Sequence, residues 1–354
     1  MESAGRVWHV RAAALATPLV ALALVALVLA ASEIAARWGT LRARLPPPSV
    51  GSPSRHLELQ LAGLDAFARS AGGIDCIFLG NSLVLLGLDP NAFDAAYEAR
   101  SGTRLRSFNF AVNGITASGV AALARILAED YRPWLIIYGL TMRDFSRAAE
   151  APAIDAMPWV RYRRGAPSVD GWLVEHSLAY RYFLLYAWHA PSASDHRTVD
   201  VATARGFYPV VPATIFDAAQ IAQAQGLVSY QLRSGAAEQQ LAALTTLFRV
   251  RDAGTQLVIL EMPVHLDLSH WPADAVTTYQ QVMDRVRQSA RPSGTPVWAA
   301  VGPQQLPEDG WFDLWHMNAR GAAAFSRWLA ERVAAAAEAG ELTHPHDRRA
   351  PPRS

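Results

Sequence analysis

Residues 74–90 read IDCIFLGNSLVLLGLDP, and this stretch decides the fold. Ile74, Cys76, Ile77, Phe78 and Leu79 form a short apolar run with the length and composition of a buried strand. Gly80 ends the run, and Asn81 and Ser82 come next on what reads as a tight strand-to-loop turn. Asp89 and Pro90 read as the N-cap and first residue of a helix, because a carboxylate accepts a free backbone N–H and proline needs none. A hydroxyl just after a glycine at the end of a buried strand stands where a nucleophile would. Gly-Asn-Ser is also an ordinary turn tripeptide.

Working outward, strand and helix alternate from residue 56 to about 145. Phe93, Ala96 and Tyr97 sit at helical spacing, and Gly102 closes their helix. Residues 104–112 read as a second strand, Ser118 opens a helix carrying Val120, Leu123, Ile126 and Leu127, and Trp134 to Leu140 form a third strand. Residues 146–235 break the rhythm and read as an insertion or cap. Within them, residues 172–188 place Leu178, Tyr182, Leu185 and Tyr186 at helical spacing, for a helix packed on the core, resting at a membrane interface or lining an acceptor groove. The alternation then resumes with a helix ending at Gly254, a fourth strand over 256–262, a helix through Val276, Tyr279, Val282, Met283 and Val286, and a fifth strand over 295–300. A final helix spans 319–339 with Asn318 as its N-cap. Such alternation implies an α/β fold with parallel pairing and helices on both faces of the sheet, and chemistry at the carboxyl ends of the strands.

With 354 residues the chain can bury a sizeable core. A formal net charge of +1 gives no nucleic-acid partner the basic surface it needs. The single cysteine, Cys76, can form no intrachain disulfide and reads as a small buried hydrophobe. Residues 12–31 carry no charge and are just long enough to cross a bilayer. An uncleaved anchor is preferred over a signal peptide, whose apolar core is usually shorter. Either reading exports the rest of the chain. The layout expected is a tail (1–11), the anchor (12–31), a linker (32–55) rich in Pro46, Pro47, Pro48, Gly51 and Pro53, one domain over 56–340, and a disordered tail from 341.

Two further stretches can carry chemistry. In DLWHMN (313–318), Asp313 precedes His316 by three residues, so a base and the carboxylate that orients it come as a unit. In NFAVNGIT (109–116), Gly114 can offer a backbone N–H to an oxyanion beside that of Ser82. His265, after strand four, can contact substrate but lacks a carboxylate three residues away. His265, Asp267 and His270 have a spacing open to a metal, but Ser82 and His316 account for the site without one, so no metal and no cofactor is expected.

In type, order and placement, Gly80-Asn81-Ser82, Gly114 and Asp313-x-x-His316 resemble the SGNH/GDSL hydrolase superfamily over about residues 74–335, with 146–235 unmatched. The resemblance implies a flavodoxin-like three-layer α/β/α sandwich with a mostly parallel sheet of about five strands. It also implies a Ser82–His316–Asp313 triad acting on esters, with Asn81 at the substrate. Where that family has Gly-x-Asn-Asp after strand three, this chain has Gly139-Leu140-Thr141-Met142 and then Arg143-Asp144. Asn113 is the candidate replacement for the missing oxyanion donor, a group typically worth ~10²–10³ in rate. Arg143 and Asp144 are expected at the rim of the site, touching substrate or paired with each other. The layout of anchor, linker and G-N-S turn is also similar to that of tethered family members associated with acylation of cell-surface polymers. The function expected is an exported, membrane-tethered esterase or O-acyltransferase acting on an envelope glycan, with a membrane-bound O-acyltransferase as its expected partner. The alternative is an inactive member of the fold that binds glycan or such a partner.

Overall fold

In the computed structural model, which describes residues 3–42, 44–52, 54–146, 154–188, 204–210, 218–234, 237–265 and 273–343, five parallel strands form one sheet in the order β2-β1-β3-β4-β5. They are β1 (Cys76–Gly80), β2 (Ser107–Asn109), β3 (Leu135–Leu140), β4 (Gln256–Glu261) and β5 (Val297–Trp298). Each reading of a strand from sequence overlaps one of these, and β2 and β5 are shorter than their apolar runs. The backbone of Arg106, just before β2, is taken by the Asp75 carboxylate at 3.0 Å.

The strands are buried on both faces, which is why they read as continuous apolar runs. Ile77, Leu79, Ile136, Tyr138 and Ile259 enter one core with helices α3 (Arg55–Ala71), α6 (Ala117–Tyr131), α11 (Glu238–Phe248) and α12 (Ala273–Ala290). Phe78, Ile137, Val258 and Leu260 enter the other with α4 (Ser82–Gly87), α5 (Pro90–Ser101) and α13 (Ala319–Glu338). This is the doubly wound arrangement, and the direction in which successive strands are added reverses between β1 and β3. In open sheets of this kind the ligand crevice lies at that switch, outside the carboxyl ends of the strands.

Two glycines open the crevice. Gly80 and Gly139 are partners across β1 and β3. A Cβ on Gly80 would stand 2.4 Å from Val84 Cγ2 and 2.6 Å from the Gly139 carbonyl, and a Cβ on Gly139 would stand 2.4 Å from the same Val84 methyl. Gly80 also has φ +152°, outside the range open to other residues. The missing side chains let α4 start directly over the ends of both strands. The tight turn expected after Gly80 is in fact the first turn of this helix, held at its other end by Asn109, whose amide donates to the Val84 and Leu88 carbonyls at 2.8 Å each.

The insertion contributes short helices rather than the single helix expected over 172–188. Helix α7 (Pro158–Arg163) is followed by α8 (Val169–His176) and α9 (Leu178–Trp188), the last two broken at Ser177, and α10 (Ala218–Arg233) comes later. At the N-terminus, α1 (Ser3–Arg37) contains an apolar segment, Pro18–Arg37, long enough to span a membrane or to serve as a signal sequence. Its Leu19, Leu22, Leu24, Leu27 and Leu29 are exposed.

Of the 32–55 stretch read as a linker, residues 46–52 carry no helix or strand, while the part before them is largely helical and the whole is firmly tied. After α1 comes one more turn, α2 (Gly39–Arg42), and then the Pro46–Pro48 run. Glu33, near the end of α1, accepts hydrogen bonds from the Ser177 hydroxyl (2.8 Å) and from the Leu178 and Ala179 backbone N–H groups (3.0 and 3.1 Å), so it caps the start of α9. Arg181 of α9 donates to the Ser49 and Pro48 carbonyls. The buried Glu58 carboxylate then takes the Ser49 hydroxyl and the Val50 and Ser52 N–H groups. The tail expected to be disordered from 341 starts out packed, with Leu342 buried and the Thr343 carbonyl accepting the Trp134 indole N–H at 2.9 Å; its residues from 344, and part of the insertion, lie outside the described residues.

Candidate active site

Two loops meet at the crevice. Asn81 is the N-cap of α4: its side-chain oxygen accepts the Leu83 N–H at 2.9 Å, which fixes Ser82 as the first residue of the helix. Its amide nitrogen donates to Thr141 Oγ1 at 2.9 Å and to Asp144 Oδ1 at 2.7 Å. Asp144 is fully buried and also accepts from the Tyr138 hydroxyl (2.8 Å) and the Thr141 N–H (3.0 Å). Burial pushes its carboxyl up to about 6, against these hydrogen bonds and the nearby Arg143 charge, which favour the ionised form. Sequence reasoning puts Asn81 at the substrate and Asp144 at the rim. Both side chains are instead buried and bonded to each other beneath the Ser82 turn.

The second loop, 311–318, is closed by a bridge between Trp311 and Met317 and by a bond from the Phe312 N–H to the His316 carbonyl at 2.8 Å. Asp313 Oδ1 accepts the backbone N–H groups of Trp315 and His316, both at 2.7 Å, and Oδ2 meets His316 Nδ1 at 2.7 Å. Burial pushes the Asp313 carboxyl up, but the His316 bond and charge and the two backbone bonds outweigh it, and the net shift is downward. The loop runs into α13 through Asn318, which caps Arg320 and Gly321 while its amide holds the Asp309 carbonyl. Gly321 packs so closely on Gly310 that a Cβ there would lie 2.0 Å from the Gly310 carbonyl.

His316 Nε2 stands 2.9 Å from Ser82 Oγ. A carboxylate on Nδ1 keeps the ring proton there and leaves the Nε2 lone pair to face the hydroxyl. An imidazole so placed can take the hydroxyl proton while the adjacent carboxylate stabilises the resulting cation.

Ser82 and His316 border a cavity of about 240 Å³. Leu83, Leu140, Met142, Met262 and Trp315 give it a largely apolar lining, and α10 contributes Leu227 and Gln231. Of the polar residues named from sequence, Arg143 lines this cavity, and its Nη1 donates to the Gly114 carbonyl at 3.0 Å. Gly114 and Asn113 are not among the lining residues; the Asn113 N–H faces His56 Nδ1 at 3.4 Å. His265 does not line the cavity either: its ring packs edge-on against Trp311 at 5.4 Å. Asp267 and His270 lie outside the described residues, among which no group of three or more His, Cys, Asp or Glu side chains comes together as a metal site.

Thr141 and Glu261 also line the cavity, neither of them named from sequence as a site residue, although Glu261 is read there as ending strand four at the same edge of the sheet. Thr141 has a sequence signal, because it occupies the position two after Gly139 where an Asn is sought. Glu261 has one too, as a charged residue ending an otherwise apolar strand. Desolvation raises the Glu261 carboxyl above its ordinary value, opposed by the Arg287 charge and a hydrogen bond from the Ala300 backbone.

No family model matches the chain, and no curated protein does. Among solved structures it is similar to a gut microbial diltiazem-metabolizing enzyme, at 11% identity and TM-score 0.31, over 64% of this chain and 36% of that one. The chain thus spans little more than a third of that protein's length. It is also similar to a protein assigned as an arylesterase from Agrobacterium tumefaciens str. C58, at 14% identity and TM-score 0.33, over 73% of this chain and 98% of that one.

Proposed function

We propose that this chain is a serine esterase or O-acyltransferase that works through a covalent acyl-serine. The observation that carries the reading is the unbroken relay from Asp313 through His316 to Ser82, with contacts of 2.7 and 2.9 Å, at the border of an apolar cavity. Ser82 Oγ attacks the ester carbonyl carbon as its proton passes to His316 Nε2. The bond to the leaving alcohol breaks, and Nε2 returns the proton to that oxygen. A water or sugar hydroxyl then gives its proton to Nε2 and attacks the acyl carbon. Ser82 leaves and recovers the proton. Asp313 stays ionised throughout and holds the imidazolium.

In this reading the N–H groups of Ser82 and Gly114 receive the oxyanion. Arg143, held on the Gly114 carbonyl, brings a positive charge to the same side of the cavity. The apolar segment of α1 tethers the domain to a membrane after export. The substrate is an acyl group on a cell-envelope polysaccharide, and a membrane-bound O-acyltransferase is the natural partner.

A second reading, a glycan-binding protein without turnover, is favoured by one observation: neither Gly114 nor Asn113 lines the cavity. A fluorophosphonate probe separates the two. Labelling of the wild type but not of Ser82→Ala supports the enzyme, and no labelling of folded wild type favours the binder. An activated ester offered with and without oligosaccharides then distinguishes transfer from hydrolysis by the appearance of acylated sugar.

A further inference from the structure

The cavity beside Ser82 is larger than an acetyl group requires. At ~30 Å³ for a group the size of a water or methylene, its volume of about 240 Å³ holds about eight such groups. Its lining is apolar where an acyl tail would lie, with Leu83, Leu140, Met142 and Met262 from the strand ends and α4. Helix α10 adds Leu227 to the lining, a leucine that stays half exposed. The far end is set by the sheet itself. Leu140 pairs with Glu261, and β4 lies two strands from β1, so Glu261 begins about 10 Å across the sheet from the strand that carries Ser82.

We propose that this cavity is an acyl subsite for a straight chain of about six to eight carbons, walled by α10 through Leu227 and closed at its far end by Glu261. The inference rests on the acyl-serine reading and names its substrate class: a medium-chain ester rather than an acetate. A longer chain must push its methyl end against a carboxyl that pairs poorly with hydrocarbon, whether ionised or protonated. A shorter one leaves apolar wall wet or empty. The α10 segment belongs to the insertion, so chain-length preference is a property of the part of the molecule that the G-N-S and D-x-x-H loops do not share.

The test uses the full-length protein in detergent micelles and p-nitrophenyl esters from acetyl to dodecanoyl. The expected result is a maximum in kcat/KM at six to eight carbons, roughly 10–100-fold above acetate. Leu227→Trp, which fills the cavity from a half-exposed position, moves the maximum to two to four carbons. Glu261→Leu moves it beyond eight. A wild type that is labelled at Ser82 by a fluorophosphonate yet prefers acetate, or shows a flat profile, overturns the subsite and leaves the serine chemistry standing. The subsite is equally overturned if neither variant moves the maximum. Wild type that is folded and unlabelled sinks both proposals together.

Discussion

The two sides of the cavity are built in opposite ways. On the sheet side, Ser82 and His316 stand on turns whose polar groups are spoken for several times over: Asn81 by Leu83, Thr141 and Asp144, and Asp313 by two backbone N–H groups and an imidazole. On the α10 side, a helix presents Leu227 and Gln231 to the cavity while Tyr230 remains largely exposed. Groups that must hold a reacting atom within a fraction of an ångström need a shell that leaves them one geometry. A wall that only has to exclude water and match a chain needs area, and it tolerates looser support.

Substitutions can break or sharpen this contrast. The largest effect is expected at the relay. Ser82→Ala or His316→Ala should lower kcat on a matched ester by ~10⁴–10⁶, and Asp313→Asn by ~10⁴, with the fold intact by circular dichroism. Next is the floor beneath it. Gly80→Ala sets a methyl against Val84 and the Gly139 carbonyl at a φ that alanine avoids, so urea unfolding should show a loss of about 3 kcal/mol or more. Asn81→Ala removes the cap and strips Asp144 of a donor, for about 1–3 kcal/mol of stability and a lower kcat. At the α10 wall, Leu227→Ala should change stability by less than about 0.5 kcal/mol while altering chain-length preference. A larger loss there would mean that the two walls are not built differently after all.

The buried Asp144 adds a pH signature to the sheet side. Its carboxyl lies at about 6 in the folded chain against an ordinary value of 3.8. Between these values the native state holds a proton that the unfolded state has released, so stability falls as pH rises through that window. Asp94, pushed to about 6 by burial against its bonds with Ser107 and Arg205, acts in the same direction. Asp144→Asn should therefore flatten, without abolishing, the slope of melting temperature between pH 4 and 6. An unchanged slope would mean that Asp144 titrates as an ordinary carboxylate.

How much of the molecule is legible in the chain depends on the range of the interaction concerned. The five strands are written in local apolar runs, and the Asp313 to His316 pairing in a spacing of three. Sequence reasoning misplaces Asp144 because its fate is decided by Asn81, 63 residues earlier, which only the sheet register brings beneath it. His265 reads as available in the sequence, but its ring, still partly exposed, packs against Trp311 from a distant loop. Helix α4 escapes notice because so short a segment, ending in Gly87, has little helical signature, and its start depends on space left by Gly139 in another strand. Leu227 has no signal at all, since nothing in an alanine- and glutamine-rich helix marks one leucine as a wall.

The carboxylate of Glu33 has a mechanical consequence. It grips the start of α9, α9 grips the backbone after Pro48, and that backbone is held by Glu58, so the apolar helix is bolted to the body at successive points and does not hang from it by a string. A stalk fastened in this way transmits orientation. Under the tethered acyl-serine reading proposed above, the Ser82 crevice would keep one bearing and one height above a bilayer holding α1, and its substrates would have to come to that fixed station.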